Sequence, residues 1–266
     1  MKTVYKLILI AVYIPVWIAC MEGSDTFSGG GDTAGRGGSM ARFTVHGDYL
    51  YTVDNSTLKI FNLSKPEQPE YLERKDQALN FGIETIFNKD SLLFIGSQDG
   101  MYIYSVARPE FPQKLSHVSH IRSCDPVVSS GNYAYVTLNS QNVWCGSTSN
   151  VLNIYDISDI RNPELKFTDD INEPKGLGID GNKLFVCDAK LGIKVYDVSN
   201  PLTPEWVDDL SHLPEADEIT PYDVIPVDGL LLTSTDMGLY QFDYTGEKLR
   251  FVSRITTLKK QDDESK

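Results

Sequence analysis

The sequence predicts an all-β fold, a five-bladed β-propeller with four antiparallel strands per blade. Two observations support this prediction. First, the chain contains five copies of one unit, and they recur about every 40 to 50 residues, a period typical of propellers and other repeat architectures. Second, each unit contains short apolar strands separated by turn residues, which is the pattern of a propeller blade.

The third strand of each unit is its most regular part. Copies three and four read Leu-Asn-Ile-Tyr-Asp-Ile-Ser (Leu152–Ser158) and Ile-Lys-Val-Tyr-Asp-Val-Ser (Ile193–Ser199). The other three copies begin at Leu58, Met101 and Leu239. Apolar residues occupy both faces of these strands, so each sheet is expected to lie between two neighbouring sheets.

Turn residues divide each unit into strands. Gly47, Gly131 and Gly181, each followed by Asp or Asn, supply the positive φ of a tight hairpin turn. Proline pairs follow the third strand and mark a bend, because proline cannot donate to a strand ladder. Asp156, Asp197 and Asp243 end three of the third strands and are expected to cap this bend through its backbone amides.

These units resemble the LVIVD-repeat family, whose strand of the type Leu-x-Ile/Val-aromatic/Val-Asp is followed by Ser and a proline pair. The resemblance covers about Ser39 to Ile255 and is clearest in copies three and four. Copies one, two and five depart from the pattern at Asn62, Ser105 and Gln241. The resemblance implies a β-propeller of exported, often surface-associated bacterial proteins. It implies no catalytic residues.

The N-terminus has the form of a secretory signal, with Lys2 and Lys6 before an apolar run from Leu7 to Ile18. The following stretch, Val16–Cys20, resembles a bacterial lipobox, although Trp17 stands where leucine is usual. The resemblance implies that Cys20 is lipidated and anchors the protein at the outer membrane, on its periplasmic or cell-surface side. Ordinary signal cleavage, which would leave a soluble periplasmic protein, is the alternative.

Composition divides the chain into four segments: a lipoprotein signal peptide (1–19), a flexible Gly/Ser-rich tether (20–38), the propeller (39–255) and a disordered tail (256–266). The formal net charge of −13 argues against nucleic acid or an anionic membrane surface as a direct partner.

The residues that begin the innermost strands are expected to surround one mouth of the central channel. This ring consists of Arg42, Glu84, Asp125, Lys175, Tyr222 and Asp223. Trp144 belongs to an insertion in copy three, residues 139–150, that is expected on the same face. A polar ring of mixed sign suits a small polar ligand or a sugar, although polar residues line the wet channel mouth of any propeller.

Cys124 and Cys145 are expected to form a disulfide, because one begins an inner strand and the other lies in the insertion on the same face. Cys187 lies in an apolar strand and is predicted to be a buried thiol. No metal site is expected, since no histidine or further cysteine has ligand spacing. No cofactor motif is present either.

These features favour an envelope-anchored, non-enzymatic binding module whose ligand is a glycan or a partner protein. The alternative is a glycan-active hydrolase or lyase that uses two carboxylates from Glu84, Asp125 and Asp223. A third interpretation is a rigid structural spacer, which predicts an exposed apolar patch away from the channel.

Overall fold

The computed structural model describes residues 38–119, 126–139, 149–216 and 219–256. All of them lie in the second of the chain's two units, Asp32–Lys266. Their strands form five antiparallel sheets, one for each sequence unit. The predicted five-bladed propeller is therefore confirmed.

Each blade is a continuous stretch of chain whose strands run in order from the channel to the rim. Blade 1 contains β1 (Phe43–His46), β2 (Tyr49–Val53), β3 (Thr57–Asn62), β4 (Glu70–Tyr71) and β5 (Gln77–Ala78). Blade 2 contains β6 (Ile83–Lys89), β7 (Leu92–Ser97), β8 (Gly100–Ser105) and β9 (Gln113–Ser119). Blade 3 contains β10 (Val127–Ser130), β11 (Tyr133–Leu138), β12 (Val151–Asp156) and β13 (Glu164–Asp170). Blade 4 contains β14 (Pro174–Asp180), β15 (Lys183–Asp188), β16 (Gly192–Asp197) and β17 (Glu205–Asp209). Blade 5 contains β18 (Pro221–Val227), β19 (Leu230–Thr235), β20 (Gly238–Asp243) and β21 (Arg250–Thr256).

In blade 1 the outer strand is interrupted by a short 3-10 helix, Glu73–Lys75, so that β4 and β5 both pair with β3. A second 3-10 helix, Pro214–Ala216, precedes blade 5. Within the described ranges, no helix is long and apolar enough to cross a membrane.

The turn between the first two strands of each blade places at least one residue in the left-handed conformation. Gly47, Gly131 and Gly181 have φ of 55°, 55° and 54°, as predicted. Blades 2 and 5 use Asp90 (φ 51°) and Asp228 (φ 50°) at this place. Aspartate tolerates positive φ better than most residues, because its short polar side chain bonds to the nearby backbone.

The predicted aspartate caps are also confirmed. The Ser158 amide donates to Asp156 Oδ1 (2.9 Å), the Ser199 amide to Asp197 Oδ1 (2.7 Å) and the Thr245 amide to Asp243 Oδ1 (2.8 Å). These hydrogen bonds, together with bonds from the neighbouring hydroxyls, lower the pKa of each of the three carboxyls and hold that of Asp243 at about 2.

Two of the three departures from the repeat pattern preserve the same contact. Asn62 Oδ1 accepts from the Ser64 amide (2.8 Å), and Ser105 Oγ accepts from the Ala107 amide (3.3 Å). The bend requires a short side chain with an oxygen acceptor, and the acceptor need not be charged.

Alternate residues of the middle strands pack against opposite neighbours. In blade 2, Leu93 and Ile95 belong to a buried cluster shared with blade 1, whereas Phe94 belongs to one shared with blade 3. The same alternation repeats in the buried clusters between blades 3 and 4 and between blades 4 and 5. Because strand side chains alternate with a period of two, blades 2, 3 and 4 each present an apolar face to both neighbours.

Among the described residues, no such cluster joins blade 5 to blade 1. We call this junction the seam. In blade 1, Leu50 and Phe61 face the seam and are only partly buried. In blade 5, Leu239 is 37 % exposed on the seam face.

Gln241, the third departure from the repeat pattern, also lies on the seam face. The equivalent positions in the other blades hold buried apolar residues, namely Ile60, Ile103, Ile154 and Val195. A glutamine is tolerated here because the seam lacks a dry interior, so its amide stays near water.

The seam predicts that Leu93 and Leu50 contribute differently to stability. The two leucines occupy the same register position in blades 2 and 1. Leu93 is 0 % exposed, so Leu93→Ala is expected to lower the free energy of unfolding by about 2–4 kcal/mol. Leu50→Ala should cost about 1 kcal/mol or less, because its side chain is already partly exposed. Urea denaturation of both variants measures this difference. Equal losses would show that blades 5 and 1 pack as tightly as the other pairs.

Candidate functional site in the central channel

A cavity of about 350 Å³ lies in the channel and is lined by all five inner strands. Its walls come mainly from the middle and last residues of those strands, such as 86–89 of β6 and 177–180 of β14, and from the turn residues Asp90 and Gly181. Polar residues at the cavity include Thr44, Asn88, Ser129 and Asp180, and apolar ones include Val128, Leu177 and Val224.

The polar side chains of the cavity are fixed by hydrogen bonds. Asn88 Nδ2 donates to the carbonyl oxygens of Asp90 (3.1 Å) and Leu92 (2.9 Å). The buried Oδ1 of Asn88 has no hydrogen-bond partner among the described residues. Ser129 Oγ donates to the Tyr133 carbonyl (3.1 Å). The cavity therefore combines apolar walls with oriented polar groups, as small-molecule sites do.

The sequence contained a signal for this cavity that our interpretation missed. Asn88 and Ser129 occupy the same register position in their inner strands. The other three blades have Val45, Ile179 and Pro226 there. A polar residue at a register position that is apolar in the other three blades is the feature that marks the site.

The opposite end of the channel, where the inner strands begin, is crossed by the chain itself. We call residues Gly38–Ala41 the strap. Ser39 Oγ donates to Asp223 Oδ1 (3.1 Å) and accepts from the Leu177 amide (2.7 Å). The Met40 amide donates to Asp223 Oδ2 (3.3 Å), and the Ile86 amide donates to the Ala41 carbonyl (2.8 Å). The strap thus bonds to three inner strands, β6, β14 and β18.

Two glycines make room for the carboxylate that holds the strap. A Cβ atom at Gly38 would overlap Asp223 Oδ2, and a Cβ atom at Gly176 would overlap Oδ1. Neither glycine has an unusual φ, so their role is to allow close approach to the carboxylate.

Asp223, one of the predicted ring residues, is therefore a half-buried anchor for the strap. Burial raises the pKa of its carboxyl to about 6, and this outweighs the opposing effect of hydrogen bonds from Met40, Ser39 and Val224. Desolvation disfavours the charged form of a carboxyl, which explains the direction of the shift.

Two further ring residues, Arg42 and Glu84, lie close together. Burial raises the pKa of Glu84, while a hydrogen bond from Gln98 Nε2 (3.3 Å) and the positive charge of Arg42 oppose the rise. Lys175 Nζ instead pairs with Glu173 (3.1 Å). Tyr222 is exposed.

The remaining predicted site residues lie outside the described residues: Asp125, Trp144, Cys20 and the predicted disulfide pair, Cys124 and Cys145. None of the five described ring residues lines the cavity. The ligand-binding ring therefore stays a prediction.

Cys187 is a buried thiol, as predicted, and burial raises its pKa. In the part of the chain that the structure describes, no group of three or more His, Cys, Asp or Glu side chains is placed to hold a metal ion.

Comparison with known families bears on the third copy of the repeat. Residues 122–170 match the family model of the LVIVD repeat. This segment is an LVIVD repeat. It includes all of blade 3, and the match confirms the family predicted from the strand pattern of the copies. No curated protein matches the chain.

Solved structures with a similar fold share little sequence with this chain. Apo AztD from Citrobacter koseri has a TM-score of 0.57 at 13% identity, over 78% of this chain and 60% of AztD. A functionally unknown protein from Desulfotomaculum acetoxidans has a TM-score of 0.57 at 13% identity, over 81% of this chain and 67% of its own. A chain of a mitotic checkpoint complex has a TM-score of 0.58 at 15% identity, over 80% of this chain and 64% of its own. This chain thus spans about three-fifths of AztD. At these identities the likeness shows the fold alone.

The raised pKa of Asp223 predicts a pH dependence of stability. Its folded value of about 6 exceeds its ordinary value of 3.8, so the folded state binds this proton more tightly than the unfolded state. The stability that this proton contributes is fully present below about pH 4 and is lost as the pH rises through 6.

We therefore expect the stability difference between the wild type and Asp223→Asn to shift by about 2–3 kcal/mol in favour of the variant between pH 4 and pH 7. Urea unfolding at four pH values in this range measures the shift. Asp243→Asn is the control, because the pKa of Asp243 is lowered to about 2 and its contribution changes little above pH 5. A constant difference for Asp223→Asn would contradict the burial of this carboxyl.

Proposed function

We propose that this chain is a non-enzymatic binding module of the cell envelope that holds a small polar ligand, a saccharide, in its central cavity. The observation that carries the proposal is the cavity itself, which has a volume of about 350 Å³, is lined by all five inner strands and includes Asn88. The unpaired Oδ1 of Asn88 is an acceptor, and leaving a buried acceptor unpaired costs free energy. Because this oxygen is itself buried in the structure, a ligand hydroxyl would supply the missing donor once the Asn88 amide turns toward the cavity.

Saccharides suit the cavity because they combine many hydroxyls with apolar ring faces. Each hydroxyl both donates and accepts, which matches an amide side chain and serine and threonine hydroxyls on the cavity wall. Val128 and Leu177 offer apolar contact beside them. The ring residues at the other mouth, Arg42, Glu84, Asp125, Lys175 and Tyr222 with Trp144, remain proposed contacts for a larger glycan or a partner protein.

The proposed location in the cell envelope is based on the sequence. The signal-like N-terminus and the lipobox-like stretch before Cys20 support a lipid anchor at the outer membrane. The large negative charge keeps the propeller away from anionic lipid surfaces while the lipid holds it near the membrane.

A glycan-active hydrolase is the second candidate, and the raised pKa values of Glu84 and Asp223 favour it, because glycosidases use a carboxyl of raised pKa as general acid. However, both oxygens of Asp223 accept hydrogen bonds from Ser39, Met40 and Val224. A carboxyl that anchors the chain in this way is poorly placed to transfer a proton, so the binding function has the stronger support.

The proposed binding function predicts that substitution of Asn88 weakens saccharide binding. Neutral mono- and disaccharides are titrated into the protein by calorimetry, and Asn88→Ala is expected to weaken binding at least about tenfold, since it removes a buried hydrogen-bonding partner of the ligand. Ser129→Ala tests whether the Ser129 hydroxyl on the cavity wall also contributes to saccharide binding.

Asn200→Ala is the matched control, because Asn200 caps an exposed bend through the Leu202 amide and lies outside the cavity. Equal affinity in the Asn88→Ala and Asn200→Ala variants, or no saccharide binding to the wild type, would contradict the proposal. A pull-down of envelope proteins would then be the next experiment.

A further inference from the structure

The Ser39 hydroxyl occupies a position in the channel that has the features of a ligand subsite. Ser39 is 1 % exposed. Its hydroxyl accepts from a backbone amide, that of Leu177 (2.7 Å), and donates to a carboxylate, that of Asp223 (3.1 Å). An amide donor and a carboxylate acceptor that meet at one oxygen are complementary to any hydroxyl, including that of a sugar.

We propose that Asp223 and the Leu177 amide form a hydroxyl-binding subsite that the strap fills in the resting protein, and that a saccharide hydroxyl displaces Ser39 from it. The inference rests on the proposed function in one respect, because it assigns the same class of ligand. It adds a second subsite at the strand-start end of the channel and a competition for that subsite within the chain.

The subsite is built by residues from two blades. Asp223 is the acidic residue at its register position, where the other blades have Arg42, Thr85, Pro126 and Gly176. Gly176 on β14 provides the space for the carboxylate of β18. The Leu177 amide follows directly in β14 and donates to Ser39. The Asp223 carboxylate, for which Gly176 leaves space, and the Leu177 amide thus meet at one atom, Ser39 Oγ.

The strap is held in a way that permits it to leave. Its bonds to the inner strands come from three residues, and Met40 is 46 % exposed. The strap precedes β1, which begins at Phe43, so its release opens no strand ladder. Short segments outside a strand ladder that are held by a few hydrogen bonds open locally at a small fraction of the cost of global unfolding.

The competition has a quantitative consequence. A ligand that binds only the strap-released form has its apparent affinity reduced by the fraction of molecules in that form. Removing the Ser39 hydroxyl raises this fraction, so Ser39→Gly is expected to bind the saccharide about three- to tenfold more tightly than the wild type. Asp223→Asn should bind it more weakly, because the amide group replaces one acceptor oxygen by a donor.

Residue-resolved amide hydrogen exchange by NMR tests the proposal with the mature chain. Without a ligand, the Leu177 amide is expected to exchange at least about tenfold faster in Ser39→Gly than in the wild type, since its acceptor is lost. The amides of Phe185 and Val186, in the middle strand of the same blade, serve as internal references. Ser64→Gly on an exposed bend is the matched substitution control.

The same neutral saccharides that are titrated above are then added to the wild type. The expected result is faster exchange of the Met40 amide, because the strap leaves Asp223, with continued protection of the Leu177 amide, because the sugar hydroxyl replaces Ser39. Unchanged Met40 exchange, or an unchanged affinity in Ser39→Gly, overturns the subsite.

The outcomes separate the two proposals. Saccharide binding that depends on Asn88 but not on Ser39 or Asp223 leaves the cavity function standing and overturns the subsite. Binding that is strengthened by Ser39→Gly but unaffected by Asn88→Ala supports the subsite and overturns the cavity assignment. No binding to any variant overturns both. Thermal unfolding of each variant confirms that the fold is intact.

Discussion

The packing of apolar sheet against apolar sheet is the interaction on which this structure depends. An isolated four-stranded antiparallel sheet with apolar residues on both faces is unstable in water. Residues such as Leu93 and Phe94, which are adjacent in β7 but belong to different buried clusters, join the sheets into a series. The channel follows from this series, because the first strand of every blade lies at the inner edge.

A series of sheets has two ends, and here they are joined by polar contacts. The apolar packing stops at the seam, where Gln241 stands at a position that is apolar in the other blades. At the inner edge, the strap connects blade 5 to the start of blade 1 through Asp223. These hydrogen bonds to the half-buried carboxylate of Asp223 respond to protonation and to competing hydroxyls in a way that buried leucines do not.

The sequence predicted those parts of the structure that local chemistry decides. The turn glycines, the bend prolines and the capping residues act over two or three positions, so Gly131 or Asp197 is interpretable from its neighbours alone. The five copies of the repeat together then identified the fold as a five-bladed propeller. Even Asn62 and Ser105, which break the repeat pattern, satisfy its chemical requirement for a short acceptor.

The candidate site was less predictable because it depends on which strands meet across the ring. Asp223 was expected at a channel mouth, but its bond to Ser39 joins residues 184 positions apart. No local pattern indicates such a contact. Asn88 was identifiable only by aligning the inner strands with one another, since a single polar residue in a strand is commonplace. The sequence predicted which residues lie at the channel mouth. It did not predict the contacts that they make, such as the ion pair of Lys175 with Glu173.

The continuity of each blade has a consequence for how such a protein changes over evolutionary time. Because none of the described strands is exchanged between sheets, copying or deleting one segment of about 40 residues leaves every remaining ladder whole. The number of blades sets the diameter of the channel, so the size of the ligand that fits becomes adjustable by gene duplication. The polar seam makes such a change more tolerable, because a new terminal blade needs to match only one neighbour closely.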